Sequence, residues 1–348
     1  MRTFNYRCLP QHLFDGKVGD ANVRLYQDKG KLELLEQMQP EKLASLRKAA
    51  HVDNVDFSTR IEGLYVNHAR VRDLIAGAKP ADETEAQVVG LSNALARIES
   101  NAETLPLDTS TIVGFYETLY AHRNLGRKSR YRKKDYQYVQ VDGHVEALPV
   151  SPITAFETPL VLGGACDSLE DAFDEDACSP LILAAVFTVD FLCIRPFEEG
   201  NGRIARLFAD LMLEKAGFDV WRYVSVERII ERKGMDYYDA LNNCVDKWDR
   251  GANDYTPYAL YWLGVLHEAY QELFAELELM DSANNSKSER VRMFLERADG
   301  PVTKRMLRAA LPDISEATIE NALGKLVKDG TIEKLGAGRA TSYRWLES

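Results

Sequence analysis

The strongest constraint on the fold of this chain is a short polar loop between two stretches rich in apolar residues. Residues 181–193 are nearly all apolar, and residues 207–216 form a second such run. Between them lies Ile-Arg-Pro-Phe-Glu-Glu-Gly-Asn-Gly-Arg-Ile-Ala-Arg, residues 194–206. A near-continuous apolar run predicts a helix that is surrounded on all sides. The layout therefore predicts a central helix, a tight polar loop and a second helix.

The polar loop carries groups that suit a polyphosphate. Gly200, Asn201 and Gly202 place small residues at a helix start, where backbone N–H groups can cradle an anion. Glu199 beside them is a candidate ligand for a hard cation such as Mg²⁺. Arg203 and Arg206 are three residues apart and would share one helix face. Together these groups predict a phosphate-binding site.

The same stretch resembles the signature of the Fic family, His-Pro-Phe-x-Asp/Glu-Gly-Asn-Gly-Arg-x-x-Arg. Eight of its nine specified positions match this chain, and the first does not, because Arg195 stands at the position of the family's catalytic histidine. The resemblance implies a mainly α fold: a Fic helical bundle with a β-hairpin flap. It also implies protein adenylyltransferase activity, in which AMP passes from ATP to a Ser, Thr or Tyr hydroxyl of a target protein, with the chain itself a candidate target.

The resemblance also implies roles for individual residues. Glu199 would hold Mg²⁺, Gly200 to Gly202 would form the anion cradle, Arg203 would bind the β/γ side of ATP and Arg206 the γ-phosphate. An aromatic pair near the adenine is common in the family, and Tyr237 and Tyr238 match it by position. The resemblance also implies ATP and Mg²⁺ as the cofactors.

Arg195 is the departure from the family pattern. A general base must accept a proton near neutral pH, whereas arginine stays protonated and has no acceptor. We expect this chain to be impaired or inactive. Three explanations fit: a natural loss of activity, an introduced substitution in an active enzyme, or altered chemistry in which an extra cation stabilises phosphate while Glu62 orients a nucleophile. Removal of AMP from a modified target, with Glu62 placing water, is a further possibility for an enzyme.

A second short motif lies upstream, in residues 56–63. Ser58 or Thr59 is a candidate helix cap and Gly63 a candidate helix end. Ser58-x-x-x-Glu62-Gly63 also resembles the inhibitory motif of Fic proteins that carry an N-terminal inhibitory helix. The resemblance implies that Glu62 pairs with Arg206 and blocks the γ-phosphate position, so the site is autoinhibited.

Residues of about 131–150 show the alternation of a β-hairpin, with Asp142-Gly143 at the turn. A loop packed on the bundle is the simpler interpretation, and the resemblance implies the Fic flap that binds a target segment. The basic run 127–134 fits an acidic target or phosphate, although a solvated charge run is the commoner explanation.

The last part of the chain follows a polar linker, residues 281–288. Helices are predicted at 289–297, 303–310 and 315–329, then two strands around a Gly-Ala-Gly turn, which resembles a winged helix-turn-helix domain. Lys325, Lys328, Arg339 and Arg344 would face phosphate. DNA binding and a protein-docking or dimerising role both remain open, with a homodimer among the partners considered. The alternative function is a nonenzymatic, nucleotide-sensing transcriptional regulator.

The predicted domains are an N-terminal helical region at 1–100 with the inhibitory helix at about 56–63, a Fic domain at 101–280, the linker, and a winged-helix domain at 289–348. A formal charge of -11 argues against nonspecific nucleic-acid binding by the whole chain, whereas residues 286–348 hold 12 Lys and Arg against 9 Asp and Glu. Five scattered cysteines, no signal-peptide pattern and no membrane-span pattern predict a cytoplasmic protein with no membrane contact.

Overall fold

The computed structural model describes residues 2–123, 125, 130–135, 153–283, 286–296, 298, 300–312, 314–336 and 341–346. The chain divides into two compact units, residues 1–273 and 274–348. The helix Thr256–Ala283 crosses this boundary in the sequence, so the predicted linker, residues 281–288, begins inside a helix.

The regular elements among the described residues of the first unit are all helices, which confirms the mainly α prediction. Its helices are α1 Gly16–Met38, α2 Pro40–Ile61, α3 His68–Ile75, α4 Glu83–Asn101, α5 Thr109–Leu119, α6 Thr158–Asp174, α7 Pro180–Ile194, α8 Asn201–Lys215, α9 Val226–Lys233, α10 Met235–Asn242 and α11 Thr256–Ala283. Within the described parts of the chain, no helix is long and apolar enough to cross a membrane.

Helix α7 is the centre of this unit, as its apolar sequence predicts. Every residue from Leu181 to Ile194 is buried, and the helix packs against α6 and α8. Its single carboxylate, Asp190, is fully buried and accepts hydrogen bonds from Tyr6, Trp248 and Tyr255 at 2.6–2.7 Å. Because its buried carboxylate has hydrogen-bond partners from three other segments, the helix can hold the polar loop in a fixed place.

Helix α2 carries the upstream motif and packs against α4 and α9. Pro40 is its first residue, a position where proline loses no helix hydrogen bond. The segment predicted as the inhibitory helix is the C-terminal end of α2. The prediction that Ser58 or Thr59 caps a helix start is wrong, because both lie inside α2 and the helix continues to Ile61.

Most of the predicted β-hairpin flap, at about 131–150, lies outside the described residues, which include 130–135 and resume at 153. The predicted hairpin and its role stay predictions.

The second unit combines three helices and three short strands among its described residues. They are α12 Lys287–Glu296, β1 Val302–Thr303, α13 Lys304–Ala310, α14 Glu316–Lys328, β2 Ile332–Leu335 and β3 Ser342–Trp345. The strands form an antiparallel sheet in the order β1-β3-β2, with Val302 opposite Tyr343 and Ile332 opposite Trp345. The predicted helices and strand pair are present, and β1 is an addition. The winged-helix assignment itself stays a prediction, and Arg339 lies outside the described residues.

Candidate functional site

The polar loop begins where α7 ends, at a residue with an unusual backbone. Arg195 adopts φ 45° and ψ 67°, in the left-handed region, and its N–H donates to the Phe191 carbonyl at 2.9 Å. This conformation costs a non-glycine residue about 1–2 kcal/mol. Other contacts must hold it, and they involve Arg132.

Arg132 fastens the loop through backbone carbonyls. Its buried guanidinium donates from Nε to the Arg195 carbonyl at 3.0 Å, and from its terminal nitrogens to the carbonyls of Lys134 and Ile153. Its own N–H donates to the Pro196 carbonyl at 2.9 Å. Arg132 belongs to the basic run that the sequence assigns to solvent or to an acidic target. That assignment is wrong for this residue, because its side chain is buried and bound to carbonyls.

The middle of the loop is closed by Asn201. Its side-chain oxygen accepts from the Phe197 N–H at 3.0 Å, and its side-chain nitrogen donates to the Phe197 carbonyl at 2.9 Å. Phe197 is fully buried and stacks on Tyr116 with ring centroids 4.3 Å apart. The Asn201 side chain is thus used for loop closure, which leaves its backbone for the predicted anion cradle.

The two loop glycines are required for different reasons. Gly200 has φ 73°, and a Cβ there would lie 2.7 Å from the Tyr120 hydroxyl. Gly202 lies in the first turn of α8, and a Cβ there would collide with the carboxylate of Glu62. The start of α8 therefore presents open backbone, and a carboxylate already lies against it.

Arg203 points from α8 into the protein with part of its hydrogen-bonding capacity unused. Its side chain is buried, and Nη2 donates to the Tyr120 hydroxyl at 3.0 Å. Within the described part of the chain, its buried Nε and Nη1 have no hydrogen-bond partner. Burial raises the pKa of the Tyr120 hydroxyl above its usual value, although Arg203 opposes the shift, so the phenol stays neutral. Buried donors without acceptors are costly, which makes this edge of Arg203 a ready anion site.

Arg206 is also buried but is held from two sides. Its Nε lies 2.8 Å from one carboxylate oxygen of Glu227, and its Nη2 lies 3.3 Å from Glu62. Nη2 also donates to the carbonyl and hydroxyl of Ser58 at 3.2 and 3.1 Å. Burial alone would lower the pKa of Arg206, but Glu227, Tyr237 and Glu62 raise it well above its usual value. Arg206 is therefore a charged, compensated group.

Glu199, the predicted metal ligand, lies at the open side of the loop. Its side chain is 45% exposed and forms an ion pair with Arg123, which also pairs with Glu83. No cluster of three metal-ligating side chains occurs among the described residues. A single carboxylate supplemented by substrate phosphates is the usual arrangement for Mg²⁺. Glu199 fits that arrangement once Arg123 releases it, with Glu83 as the alternative partner.

The two predicted adenine-binding tyrosines lie in different surroundings. Tyr237 is buried in α10, packs against Tyr258 and Tyr261, and interacts with Arg206; burial raises its pKa to about 12. Tyr238 is half-buried, and its hydroxyl donates to the Ile61 carbonyl at the end of α2 at 3.1 Å. Of the two side chains, that of Tyr237 is buried and that of Tyr238 is partly exposed.

Comparison with known proteins identifies the family that the segment around the loop matches. The Fic/DOC family profile matches residues 106–213, the segment from α5 through most of α8. The chain is 27% identical over 206 residues to the protein adenylyltransferase Fic of Nematostella vectensis, covering 56% of this chain and 43% of that protein. The chain contains a Fic/DOC family domain.

Two further comparisons cover different shares of the chain. A Fido domain-containing protein of Dictyostelium discoideum is 31% identical over 101 residues, which cover 29% of this chain and 66% of that protein. The chain spans less than two thirds of both relatives. A crystal structure of a Fic family protein from Desulfovibrio desulfuricans G20 superposes with a TM-score of 0.59 at 21% identity, covering 94% of this chain and 96% of that one. This last likeness concerns the fold.

The structure of the Fic domain brings most of the predicted residues together. Arg206 and Glu62 are in contact, and Gly202 and Arg203 lie beside them on the first turn of α8. Arg195 and Glu199 belong to the loop leading to that turn. Tyr237 adjoins Arg206, and Tyr238 adjoins the end of α2.

Three residues around the Fic loop were missed from sequence: Arg132, Tyr120 and Glu227. For Glu227 a signal was present. It lies on the buried face of α9 with Val226 and Ile230, and a carboxylate on such a face needs a cation. For Arg132 and Tyr120 no pattern in the chain distinguishes them from their neighbours.

Proposed function

We propose that this chain is a Fic-type protein adenylyltransferase that transfers AMP from ATP to a hydroxyl side chain of a target protein. The supporting observation is the buried edge of Arg203, whose Nε and Nη1 have no acceptor within the described residues and lie next to the open start of α8. A helix start with aligned N–H groups and a poised guanidinium is suited to phosphate.

In the proposed reaction the target hydroxyl oxygen attacks the α-phosphorus of ATP. A phosphorus–oxygen bond forms to the target, the bond to pyrophosphate breaks, and the hydroxyl proton passes to a base. Such transfers depend mostly on positioning and charge neutralisation. Arg203 would hold the β/γ side, Arg206 the γ-phosphate, and the backbone at Gly200–Gly202 the phosphate nearest α8. Tyr238 is the aromatic side chain left to contact the adenine.

Mg²⁺ would be held by Glu199 and the nucleotide phosphates, where it would neutralise phosphate charge. Arg123 occupies the Glu199 carboxylate and can transfer to Glu83, with which it is already paired. The residues of the chain thus allow Glu199 to change partners without leaving Arg123 uncompensated.

The base is the weak part of the site. Arg195 cannot accept the hydroxyl proton, and a general base contributes about 10²–10⁴-fold in rate. Among the described histidines, His51 and His68 are bound to Glu99 and Asp56, and His12 and His267 to Asp254 and Asp28. His122 lies 3.6 Å from Glu83 and adjoins the Tyr120 ring. We infer that this chain binds nucleotide but transfers AMP slowly.

We also infer that Glu62 inhibits the site when no nucleotide is bound. Glu62 lies against Gly202 and contacts Arg206, which is where a γ-phosphate would bind. Two anions cannot share that place, so Glu62 must move before nucleotide takes a productive position.

The test is a double variant, Arg195→His with Glu62→Gly, incubated with ATP and Mg²⁺. We expect a mass increase of one AMP on the protein itself or on proteins of a cell lysate. Each single variant serves as a control, since the first keeps the inhibitory carboxylate and the second lacks a base. If the double variant adds no AMP to any protein, the transferase proposal fails.

A second candidate is a nucleotide-sensing regulator that binds DNA through residues 289–348. On α14, Glu316 and Glu320 form ion pairs with Arg308 and Lys304, whereas Lys325 and Lys328 are exposed. Full-length protein should then bind duplex DNA more weakly as salt rises, and Lys325→Glu with Lys328→Glu should abolish that binding. Absence of binding by the native chain at low salt excludes this role.

A further inference from the structure

Arg206 has two carboxylate partners, which contact different nitrogens of its guanidinium. Glu227 takes the Nε edge, with its two oxygens 3.0 and 2.8 Å from that nitrogen. Glu62 takes Nη2 through a single longer contact of 3.3 Å. The short contact and the long contact therefore belong to different helices, α9 and the end of α2.

The two carboxylates also differ in burial. The side chain of Glu227 is 9% exposed and that of Glu62 is 24% exposed, while that of Arg206 is 3% exposed. The Ser58 hydroxyl accepts from Nη2, the same nitrogen that Glu62 contacts, and it also interacts with Glu227. Glu227 is built into the core, whereas Glu62 is on the side from which a ligand arrives.

The difference between the two carboxylates matters because Arg206 is a buried charge that needs a counter-ion. A buried guanidinium that loses its only carboxylate is left uncompensated, and breaking a buried pair in this way is strongly unfavourable. If Glu62 were the sole partner of Arg206, its release would be opposed by that cost. With Glu227 in place, Arg206 keeps a counter-ion while Glu62 moves away.

We propose that Glu227 is the resident counter-ion and positioning residue of Arg206, so that Glu62 can leave and a nucleotide phosphate can take its edge. Glu227 stays at Nε in both states, and at Nη2 the nucleotide phosphate replaces the Glu62 carboxylate. This inference rests on the proposed binding of nucleotide phosphate at Arg206, but its tests below need no nucleotide.

The first test is a double-mutant cycle in urea unfolding, with Glu62→Gln, Glu227→Gln and the combined variant. Each single variant leaves Arg206 one carboxylate, and the combined variant leaves none. The loss in the combined variant should therefore exceed the sum of the single losses. Additive losses would overturn the proposal.

Glu62→Gln alone provides a check that holds even where Glu227→Gln fails to fold. Because Glu227 keeps Arg206 compensated, Glu62→Gln should shift the urea midpoint no more than Glu231→Gln. Glu231 lies one turn further along α9, on the same helix as Glu227 but without a role at Arg206. A much larger shift for Glu62→Gln would mean that Glu227 does not suffice as counter-ion.

The second test measures opening at the end of α2 by amide hydrogen exchange. The N–H groups of Glu62, Gly63 and Leu64 donate to carbonyls of α2 at 2.8–3.2 Å, so their exchange reports departure of this segment. Glu227→Gln should slow their exchange about tenfold, because opening then leaves Arg206 uncompensated. If Glu227 is only a structural ion pair, its loss loosens the site and exchange becomes faster, which would overturn the proposal.

These outcomes are independent of catalysis. If the Arg195→His, Glu62→Gly variant transfers no AMP, the proposed function fails while the unfolding cycle and the exchange rates still decide the role of Glu227. If transfer occurs but the cycle is additive or exchange accelerates, the proposed function stands and the role of Glu227 is refuted.

Discussion

The two ends of the loop segment 195–206 differ in how well their side chains suit the proposed reaction. At the α8 end, Arg203 is buried with unused donors and Arg206 is compensated by two carboxylates. At the α7 end, the backbone of Arg195 is held by two hydrogen bonds, yet its side chain cannot accept a proton. The contrast indicates that binding phosphate and accepting a proton are separate properties of this fold. They depend on residues at different helix ends, the start of α8 and the end of α7.

The largest expected effect separates the two ends directly. Arg195→His should raise AMP transfer by about 10²–10⁴-fold in a chain that also lacks the Glu62 carboxylate, because it restores a base. Nucleotide affinity, measured by calorimetry with MgATP, should change little. Arg195→Gln is the matched control, since it removes the charge without adding a base. An equal gain in rate from Arg195→Gln would show that charge, and not proton transfer, limits the reaction.

The next effect concerns the gripping end alone. Arg203→Gln should weaken MgATP binding by about 10–100-fold, since a hydrogen bond to a charged group contributes about 1.5–3 kcal/mol. Thermal stability should fall little, because Nε and Nη1 have no acceptor in the described residues and the hydrogen bond that is lost is the one from Nη2 to the Tyr120 hydroxyl. Arg232→Gln removes a half-exposed arginine of α9 and serves as the control. Unchanged affinity in Arg203→Gln would remove the main support for phosphate binding.

The smallest effect tests the connection between the ends. Asn201→Ala would leave the buried N–H and carbonyl of Phe197 without their partners, at about 1–3 kcal/mol for each group. The free energy of unfolding in urea should fall accordingly. Asn201→Asp keeps the acceptor for the Phe197 N–H and loses the donor, so its loss should be smaller. Equal stability of all three proteins would mean that the loop does not depend on this closure.

Much of the helical frame follows from sequence because local patterns determine it. The apolar run before the loop predicts a buried helix, and α7 is buried from Leu181 to Ile194. Pro40 predicts a break, and α1 ends at Met38 while α2 begins at Pro40. The C-terminal helices and strand pair follow from periodicity and turn residues in the same way.

The contacts between distant segments are not readable from such patterns. Arg132 stands in a run of basic residues, and nothing local shows that its guanidinium binds three backbone carbonyls. Glu227 lies 21 residues after Arg206 on a different helix, and only the folded packing brings its carboxylate from α9 to the guanidinium on α8. The motif residues could be named from sequence, whereas the residues that hold them in place required the structure.

Two hydrogen bonds to the backbone of residue 195 help to hold the loop: its N–H donates to the Phe191 carbonyl, and its carbonyl accepts from Arg132. Any side chain that tolerates a left-handed backbone leaves both bonds available, and histidine is among the residues enriched in that conformation. Some arginine codons differ from a histidine codon by one base. A single nucleotide change can therefore remove or restore the general base while the fold stays the same.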